Sequence, residues 1–401
     1  MSNNGARRWD IVETHCLVKR KTEAGEKFVN NYRLLQTLGQ GRFGKVKLCE
    51  RLANGGNPSS AASSNASGAV HAASIAANGE VDAAIASLPP PAFAPPKTRQ
   101  FALKIFSKKM LRRLKDYCAE PAIGHREDGN DDAGENDVPV RMRAVTALDR
   151  MHDEIEIMRS LYHRNIVLLF EVIEVDDSDK LYMVLEYMAC GPCMVYRPDT
   201  KDFYSRVTGG TLSEELARNY LSDILHGLEY LHQRRVCHRD IKPDNVLLND
   251  TGRCHITDFG CAKAFGCGVS GDVADNRDER MLLSDTVGTY QFLAPECCSG
   301  EPYDPFKVDI WAVGVVFFIF LFGRLPFTSE STRELFDEII RAEIILPGPD
   351  ESRRETPLSL KCQDLLLRLL EKDPEQRITI TEALHHPWFA QDEDDEEPLS
   401  F

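Results

Sequence analysis

The most informative part of the sequence is His238-Arg239-Asp240-Ile241-Lys242-Pro243-Asp244-Asn245, and Asp258-Phe259-Gly260 follows it downstream. Carboxylates, a lysine and an asparagine stand together within these eight residues. Carboxylate and amide oxygens are ligands for hard cations, and a nearby ammonium group can neutralise an anionic reactant. Chance does not account for both stretches at this spacing, so the pattern indicates a reactive site.

A glycine turn lies far upstream, in Gly39-Gln40-Gly41-Arg42-Phe43-Gly44-Lys45-Val46. Glycines allow backbone amides to approach phosphate oxygens without interference from side chains. The same spacing occurs in dinucleotide-binding turns, where a helix follows the third glycine. Here the residues from Lys45 to Cys49 are strand-like, which favours a phosphate-binding turn between two strands.

A lysine of interest, Lys104, lies in the strand-like stretch from Gln100 to Phe106. A strand lysine that stands alone is often simply solvated, so a functional reading requires an acidic partner. The apolar spacing from Ala147 to Leu161 predicts a helix that carries Glu154 and Glu156. We expect Glu154 to be the partner, because it is better placed relative to Met158.

The organisation of the chain follows from its composition. Strand patterns prevail in the first part and helical patterns after about Leu212, which predicts an α+β chain with two lobes. The predicted helices cover 213–232, 309–322, 332–341, 358–370 and 379–385. Two polar, weakly apolar stretches interrupt the first part, at 52–96 and 115–139, and the first is predicted to be disordered. Both ends are also weakly patterned.

Composition excludes several classes of protein. The formal net charge of -15 over 401 residues argues against a nucleic-acid partner. The apolar run from Ile310 to Phe322 is shorter than the ~20 residues of a membrane span, so we expect a buried helix and no membrane partner. The 12 irregularly spaced cysteines indicate reduced thiols. No apolar stretch follows Arg7 and Arg8, so we expect a cytoplasmic protein, with the nucleus as an alternative.

Together these motifs resemble the eukaryotic protein kinase family, from about Tyr32 to Phe389. The resemblance implies a bilobal α+β fold with a β-rich N-lobe at 32–188 and a helical C-lobe at 189–390. The N-lobe would hold inserts at about 52–97 and 115–140. A 1–31 extension would precede the domain, and an acidic tail at 391–401 would follow it.

The resemblance also implies ATP and Mg²⁺ as cofactors and a role for each matching residue. Asp240 would act as the catalytic base, and Lys242 would neutralise the transferred phosphoryl group. Lys104 would hold the ATP phosphates, paired with Glu154. Asn245 and Asp258 would bind the metal. The residues implied to bind ATP are Gly39, Gly41, Gly44, Val46, Ala102, Lys104, Glu186, Met188 and Leu247.

The activation segment carries a further set of implied residues: Arg239, Ser284, Asp285, Thr286 and Thr289. Lys242 and Thr289 resemble the serine/threonine class rather than the tyrosine class. In kinases with this arginine, the position three residues before Gly288 often carries a phosphate, and here it is Asp285. We hypothesise that an Arg239–Asp285 contact replaces that phosphate, with Ser284 or Thr286 as secondary sites.

Two structural contacts complete the prediction for the second lobe. Glu296, in the stretch Ala294-Pro295-Glu296, is expected to pair with Arg377. Asp309, at the start of the predicted buried helix, is expected to cap the backbone of the catalytic loop.

Shorter motifs narrow the resemblance. The polar insert after Lys104, the Gly191–Met194 stretch and the Leu282–Thr289 stretch resemble calcium/calmodulin-dependent kinase kinases. The residues from Ala294 to Cys298 resemble the related plant kinases that activate Snf-related kinases. The group phosphorylates activation loops of other kinases, so an AMP-activated or Snf-type kinase is the implied protein substrate. The insert here is acidic where that of the calmodulin-dependent group is basic, a second insert follows Cys49, and the acidic tail leads us to expect no calmodulin binding.

Three alternatives stay open at this stage. The chain could be a general serine/threonine kinase with non-kinase substrates, or a kinase-fold scaffold without catalysis. The intact Lys104, Asp240, Asn245 and Asp258 speak against the scaffold. Cys190-Gly191-Pro192-Cys193 also matches a thioredoxin-type redox motif, which requires the first cysteine at a helix N-terminus.

Overall fold

The computed structural model describes residues 11–41, 44–52, 100–121, 140–265, 281–348 and 357–390. The chain divides into two compact units. The first contains the described residues up to Arg159 together with Leu169–Tyr187, and the second contains Ser160–Leu168 and the residues from Met188 onward. The first unit is rich in strands and the second is mainly helical, which confirms the predicted α+β class.

An eight-stranded sheet forms most of the first unit. Its strands follow the order β1-β9-β10-β6-β5-β4-β3-β2, and only the β1–β9 pair is parallel. The strands of this unit are β1 (Val12–Thr14), β2 (Lys19–Lys21), β3 (Lys27–Val29), β4 (Tyr32–Gln40), β5 (Gly44–Arg51), β6 (Gln100–Ser107), β7 (Lys115–Pro121), β8 (Val140–Thr146), β9 (Leu169–Glu174) and β10 (Lys180–Glu186).

The sheet begins earlier than the sequence predicts. The predicted boundary placed 1–31 outside the domain, but β1, β2 and β3 belong to the same sheet as the later strands. Buried Glu171 of β9 ties this segment down, because it accepts hydrogen bonds from Thr14 Oγ1 at 2.5 Å and from the hydroxyl of Tyr32 at 2.6 Å. Residues 11–31 are therefore an integral part of the first unit.

Two helices accompany the sheet, α1 (Lys108–Arg113) and α2 (Ala147–Ser160). The second confirms the helix predicted between Ala147 and Leu161. Strands β7 and β8 pair with each other at the two ends of the second polar stretch, where the sequence predicted no strands. The rest of that stretch, at 122–139, and nearly all of the first insert lie outside the described residues.

The second unit contains short strands and six α-helices within its described part. The strands are β11 (Gly191–Pro192), β12 (Val195–Arg197), β13 (Asp202–Tyr204), β14 (Val236–Cys237), β15 (Val246–Leu248), β16 (Cys254–Ile256) and β17 (Lys263–Ala264). The helices are α3 (Glu214–Gln233), α4 (Pro295–Cys298), α5 (Pro305–Phe322), α6 (Thr332–Arg341), α7 (Leu360–Leu369) and α8 (Ile380–Leu384).

Helix α5 forms the core of the second unit. Of the described helices it alone is long and apolar enough to cross a membrane, and 89% of it is buried inside the protein. This confirms the predicted buried helix. Asp304 caps its first turn by accepting from the Phe306 amide at 2.8 Å, and Gly323 ends it in a left-handed conformation.

The sequence did not predict the hairpin formed by β12 and β13. Arg197 and Asp202 face each other across it and form a bidentate ion pair, with both N–O distances at 2.8 Å. A two-pronged guanidinium–carboxylate contact of this kind holds the register of so short a hairpin.

Candidate active site

The catalytic loop follows β14 and carries the motif from His238 to Asn245. Helix α5 holds this loop through buried Asp309, whose carboxylate accepts from the His238 amide at 2.8 Å and from the Arg239 amide at 2.7 Å. His232 Nε2 also lies 2.9 Å from this carboxylate. The predicted cap is confirmed, and it connects the loop to the most buried helix of the unit.

The carboxylate of Asp240 is held on both oxygens. Its Oδ1 accepts from the backbone amide of Thr289 at 3.1 Å and from the Thr289 hydroxyl at 2.8 Å. Its Oδ2 accepts from Lys242 Nζ at 2.6 Å and from Asn245 Nδ2 at 3.0 Å. Lys242 Nζ also donates to Thr289 Oγ1 at 2.8 Å, so the hydroxyl links the cation to the carboxylate. The orientation of Asp240 is therefore determined by four donors from three residues.

The approach of Thr289 to this loop depends on its neighbour Gly288. Gly288 has a φ of +110°, and a Cβ at this position would lie 2.6 Å from the carbonyl oxygen of Arg239. A side chain would therefore be strained and would push the segment away from the loop. The glycine is what allows the segment to lie directly on the catalytic loop.

Asn245 and Asp258 are brought near each other by the β15–β16 hairpin. The Thr257 amide, one residue before Asp258, donates to the Asn245 carbonyl oxygen at 3.0 Å. The side-chain amide nitrogen of Asn245 donates to Asp240, so the side chain presents its oxygen on the other side. An amide oxygen and a carboxylate are the donors that Mg²⁺ prefers, so these residues fit the implied metal.

Backbone strain and negative charge are found together at the catalytic loop and at Asp258, which follows β16. Asp258 and Arg239 have positive φ angles of 63° and 67°, which few residues other than glycine adopt. Burial, with added effect from the charges of Asp240 and Asp258, raises the pKa of the Cys261 thiol to about 11. The thiol beside the two carboxylates is therefore protonated at neutral pH.

The contact expected between Arg239 and Asp285 is present. Arg239 Nη2 lies 2.6 Å from Asp285 Oδ2, with the arginine side chain 7% exposed and the aspartate side chain 54% exposed. Arg239 Nε is buried and has no hydrogen-bond partner in the described part of the chain. Ser284 is exposed beside this pair, and Thr286 Oγ1 lies 3.5 Å from the Cys297 carbonyl oxygen.

Tyr303 is a residue of this segment that the sequence did not single out. Its hydroxyl donates to the carbonyl oxygen of Asp285 at 2.5 Å, and its backbone exchanges two hydrogen bonds with Leu283, at 2.9 and 2.8 Å. Both contacts join positions far apart in sequence, and no local pattern marks them. Tyr303 holds the backbone of the activation segment on both sides of Ser284.

The predicted pair of Glu296 and Arg377 is confirmed. Arg377 Nη1 and Nη2 donate to the two carboxylate oxygens at 2.6 and 2.9 Å. The arginine is 1% exposed and also donates to three backbone carbonyl oxygens. This fully bonded guanidinium joins the end of the activation segment to the loop after α7.

In the first unit, Lys104 Nζ donates to Glu154 Oε1 at 3.0 Å, and Glu154 is 2% exposed. Glu156 instead pairs with Arg159 at the surface. Val46 lies opposite Lys104 on the neighbouring strand, and Ala102, two residues before Lys104, lies on the same face of the sheet. The structure therefore groups these implied ATP-binding residues of the first unit on one face.

Gly44 is the glycine of the turn that the structure explains best. A Cβ at Gly44 would lie 2.0 Å from the Ile105 carbonyl oxygen, so no other residue fits there without movement of β6. Gly39 pairs with Val46 across the turn, and the Gly41 amide donates to the Gly44 carbonyl oxygen at 2.9 Å. The turn connects two strands, as predicted, and no helix follows it.

The remaining implied ATP-binding residues are divided between the units. Glu186 ends β10 in the first unit, whereas Met188 and Leu247 belong to the second. Leu247 lies on β15, opposite Pro192 on one side and His255 on the other.

The Cys190–Cys193 motif has a different setting from a redox centre. The two residues between the cysteines form β11, and both thiols are free. Cys193 is fully buried, its Sγ lies 3.7 Å from the Pro243 carbonyl oxygen, and burial raises its pKa. The first cysteine is not at a helix N-terminus, so the setting lacks the feature that makes such a thiol reactive.

Comparison with known families gives a direct result. A family profile described as the protein kinase domain matches residues 138–389, which is well over half of the chain. The glycine turn and Lys104 lie before the matched range, on the N-terminal side of the second polar stretch.

Curated relatives point to the same family. Serine/threonine-protein kinase ssp1 of Schizosaccharomyces pombe is 32% identical over 386 residues, covering 94% of this chain and 46% of that protein. Serine/threonine-protein kinase GRIK1 of Arabidopsis thaliana is 30% identical over 385 residues, covering 96% and 73%. SNF1-activating kinase 1 of Saccharomyces cerevisiae is 36% identical over 290 residues, covering 65% and 25%.

The chain spans less than half the length of the ssp1 protein and a quarter of SNF1-activating kinase 1. The matching region includes every position at which the kinase motifs were recognised in the second unit. With the family profile, the catalytic loop and these relatives in agreement, the chain belongs to the eukaryotic serine/threonine protein kinase family.

Proposed function

We propose that this chain is an active kinase that transfers the γ-phosphoryl group of ATP to serine or threonine hydroxyls of proteins. The observation that carries the proposal is the arrangement of Asp240, whose two oxygens are held by Lys242, Asn245 and Thr289. A scaffold that only binds has no use for a carboxylate positioned by four donors.

The proposed mechanism assigns one task to each group. Asp240 orients the substrate hydroxyl and accepts its proton as the oxygen attacks phosphorus. Lys242, 2.6 Å from that carboxylate, neutralises negative charge on the transferred phosphoryl group. Lys104, oriented by Glu154, holds the α and β phosphates of ATP. Because phosphoryl transfer needs little covalent help, alignment and positive charge supply most of the acceleration.

Asn245 and Asp258 would hold Mg²⁺. When bound, the metal would neutralise negative charge on the phosphate groups of the nucleotide. Asn245 also contributes directly, since its amide nitrogen fixes Asp240 while its oxygen is available to the cation.

We further propose that the protein substrate is the activation-loop threonine of an AMP-activated or Snf-type kinase. Two observations support this: one relative is SNF1-activating kinase 1, and the segment from Ala294 to Cys298 resembles plant kinases of that role. The competing proposal is a general kinase with non-kinase substrates.

Replacement of Asp240 tests the catalytic proposal. In Asp240→Asn the amide keeps the shape but cannot accept the proton, so we expect kcat/KM to fall by on the order of 10²- to 10⁴-fold. The matched control is Asp199→Asn, an exposed aspartate of the same unit whose side chain makes no hydrogen bond in the described part of the chain. If Asp240→Asn and the wild type incorporate phosphate equally, the proposal that this chain is an active kinase is wrong.

A second assay separates the two substrate classes. The purified chain is incubated with MgATP and an inactive Snf-type kinase, in parallel with the same substrate carrying alanine at its activation-loop threonine. We expect phosphorylation at that single threonine, mapped by mass spectrometry, and none in the alanine form. Equal rates on both forms, or faster phosphorylation of an unrelated basic protein, would favour the general kinase.

A further inference from the structure

A cavity of about 310 Å³ lies in the second unit, on the turn side of the β15–β16 hairpin. Its walls are Arg164, Asn165, Asn249, Arg253 and His255. Asn249 follows β15, Arg253 precedes β16, and His255 lies within β16. None of these residues belongs to the active site described above.

The residues that line this cavity, of which Arg164 and Arg253 are exposed, carry several hydrogen-bond donors. Arg164 uses only Nε, in a long 3.4 Å contact to Asn165, and Arg253 uses only Nη2, in an ion pair with Asp223. His255 uses Nδ1, which lies 3.2 Å from the Arg253 carbonyl oxygen. In the described part of the chain no hydrogen bond is made by the Arg164 Nη atoms, by Arg253 Nη1, by Asn249 Nδ2 or by His255 Nε2.

The acceptors of the same residues are already occupied. Asn165 Oδ1 receives the Arg164 contact, and Asn249 Oδ1 accepts three hydrogen bonds from its own turn, at 2.8 to 3.0 Å. The nearby Asp223 carboxylate is 1% exposed, and it accepts from Arg253 on one oxygen and from a backbone amide on the other. The cavity therefore offers donors with few acceptors, which suits a ligand rich in acceptor oxygens.

The electrostatic surroundings agree with this. Burial lowers the pKa of the neighbouring His163 to about 4, and the positive charges of Arg164 and Arg234 add to the effect. Of the carboxylates nearby, Asp223 is already paired with Arg253, and the exposed Asp250 of the same hairpin turn is not among the lining residues. The planar guanidinium group of an arginine binds phosphate oxygens through two parallel N–H donors.

We propose that this cavity is a binding site for a phosphate monoester, held by Arg164 and Arg253 with Asn249 and His255 as additional donors. The phosphate is carried by a phosphoserine or phosphothreonine side chain, or is free as inorganic phosphate. The site lies at the turn of the β15–β16 hairpin. Asn245 and Asp258 lie at the opposite, open end of the same hairpin. The proposal is independent of the substrate assigned above.

Fluorescence anisotropy tests the proposal with a Gly-Gly-phosphoserine-Gly-Gly peptide that carries an uncharged dye on its N-terminus and an amide at its C-terminus. The phosphate is then the only charged group of the probe. An excess of a non-hydrolysable ATP analogue and Mg²⁺ keeps the probe from the nucleotide site. We expect Arg164→Gln to weaken binding at least about tenfold, which corresponds to about 1.4 kcal/mol. Arg333→Gln is the matched control, since Arg333 is an exposed arginine of α6 without a hydrogen bond in the described residues.

A second variant and a competition experiment show which phosphate compound binds and whether the arginine fork is needed. Arg164→Lys keeps the charge but not the fork, so an intermediate affinity is expected, and its thermal unfolding checks that the fold is intact. Competition by inorganic phosphate as strong as that of the phosphopeptide supports a site for the free ion, and weaker competition supports a phosphorylated side chain. Equal binding of the unphosphorylated peptide, equal affinities in Arg164→Gln and Arg333→Gln, or no binding up to about 10 mM would overturn the proposal.

Discussion

At the scale of single residues, Asp285 lies where the kinase resemblance implies a regulatory phosphate, and it offers one carboxylate to Arg239. It reaches Arg239 through one oxygen at 2.6 Å, whereas the buried Nε of that arginine has no partner in the described part of the chain. A phosphate would offer three oxygens and about twice the charge. We hypothesise that the aspartate is a permanent but weaker substitute for such a phosphate, since it satisfies only part of the guanidinium.

Removal of the Asp285 carboxylate tests this substitute. We expect Asp285→Ala to lower kcat/KM by roughly three- to tenfold, because a half-exposed ion pair is worth about 1 kcal/mol. Ser284→Ala is the control, since this exposed neighbour makes no hydrogen bond in the described segment, and it is expected to keep full activity. Phosphatase-treated wild-type enzyme should remain active; an inert dephosphorylated enzyme would contradict the hypothesis.

His163 should make the free energy of unfolding depend on pH. Burial, with help from neighbouring positive charges, lowers its pKa from 6.5 to about 4, and its Nδ1 accepts from the Asn165 amide at 3.2 Å. The unfolded chain takes up this proton near pH 6.5, whereas the folded chain takes it up only near pH 4. The free energy of unfolding should therefore fall as the pH drops through this window.

Urea unfolding of His163→Asn between pH 4 and 7 measures this contribution. The variant should show a smaller decrease of the unfolding free energy toward acid than the wild type does. The exposed His15 provides the control, and its replacement by Asn should leave the pH dependence unchanged. Identical pH dependence in His163→Asn and wild type would show that this imidazole does not titrate as described.

At the scale of elements, β1, β2 and β3 are the main departure from the sequence prediction. Each has three residues, too few for an alternating pattern to be recognised, and β2 consists of Lys19, Arg20 and Lys21. One local signal was present, namely Glu171 within the apolar stretch of β9. A charge in such a strand must find partners, but nothing in the sequence says that Thr14 and Tyr32 supply them.

Thr14→Val tests how far the first strand stabilises the first unit. The change removes the hydroxyl that donates to Glu171 Oε1 and leaves that buried oxygen without its partner. We expect the free energy of unfolding to fall by about 1–3 kcal/mol, as measured by urea denaturation. In the same sheet, exposed Thr37 donates nothing to a buried group, so Thr37→Val should change stability little. Equal effects in the two variants would mean that β1 is not anchored in this way.

At the scale of the whole molecule, the sequence predicted most of what lies close together along the chain. The catalytic loop is contiguous, so Asp240, Lys242 and Asn245 could be recognised together, and α2, α3 and α6 follow their apolar spacing. The contacts of Tyr303 with Asp285, and the cavity around Arg164 and Arg253, depend on residues separated by 18 and 89 positions. Such contacts arise only when the fold brings distant segments together.

Arg377 should contribute strongly to stability, because it joins the activation segment to two later segments of the second unit. Arg377→Met should lower the free energy of unfolding by about 3–5 kcal/mol, since it leaves the Glu296 carboxylate unpaired in a buried setting. The surface arginine Arg368, which pairs with Asp364 along α7, is the matched control, and Arg368→Met should have a small effect. Chemical denaturation measures the free energy of unfolding of both variants. Similar decreases in the two variants would show that the buried pair stabilises the protein no more than the surface pair does.

The arrangement of the N-terminal strands has a consequence for association. The two outermost strands of the sheet are β1 and β2, so every longer strand is paired on both sides. Short edge strands with adjacent cations, such as Lys19-Arg20-Lys21, are poor templates for the addition of another chain. Residues 11–31 thus supply both edges of the eight-stranded sheet as short strands, and this disfavours the pairing of another chain at those edges.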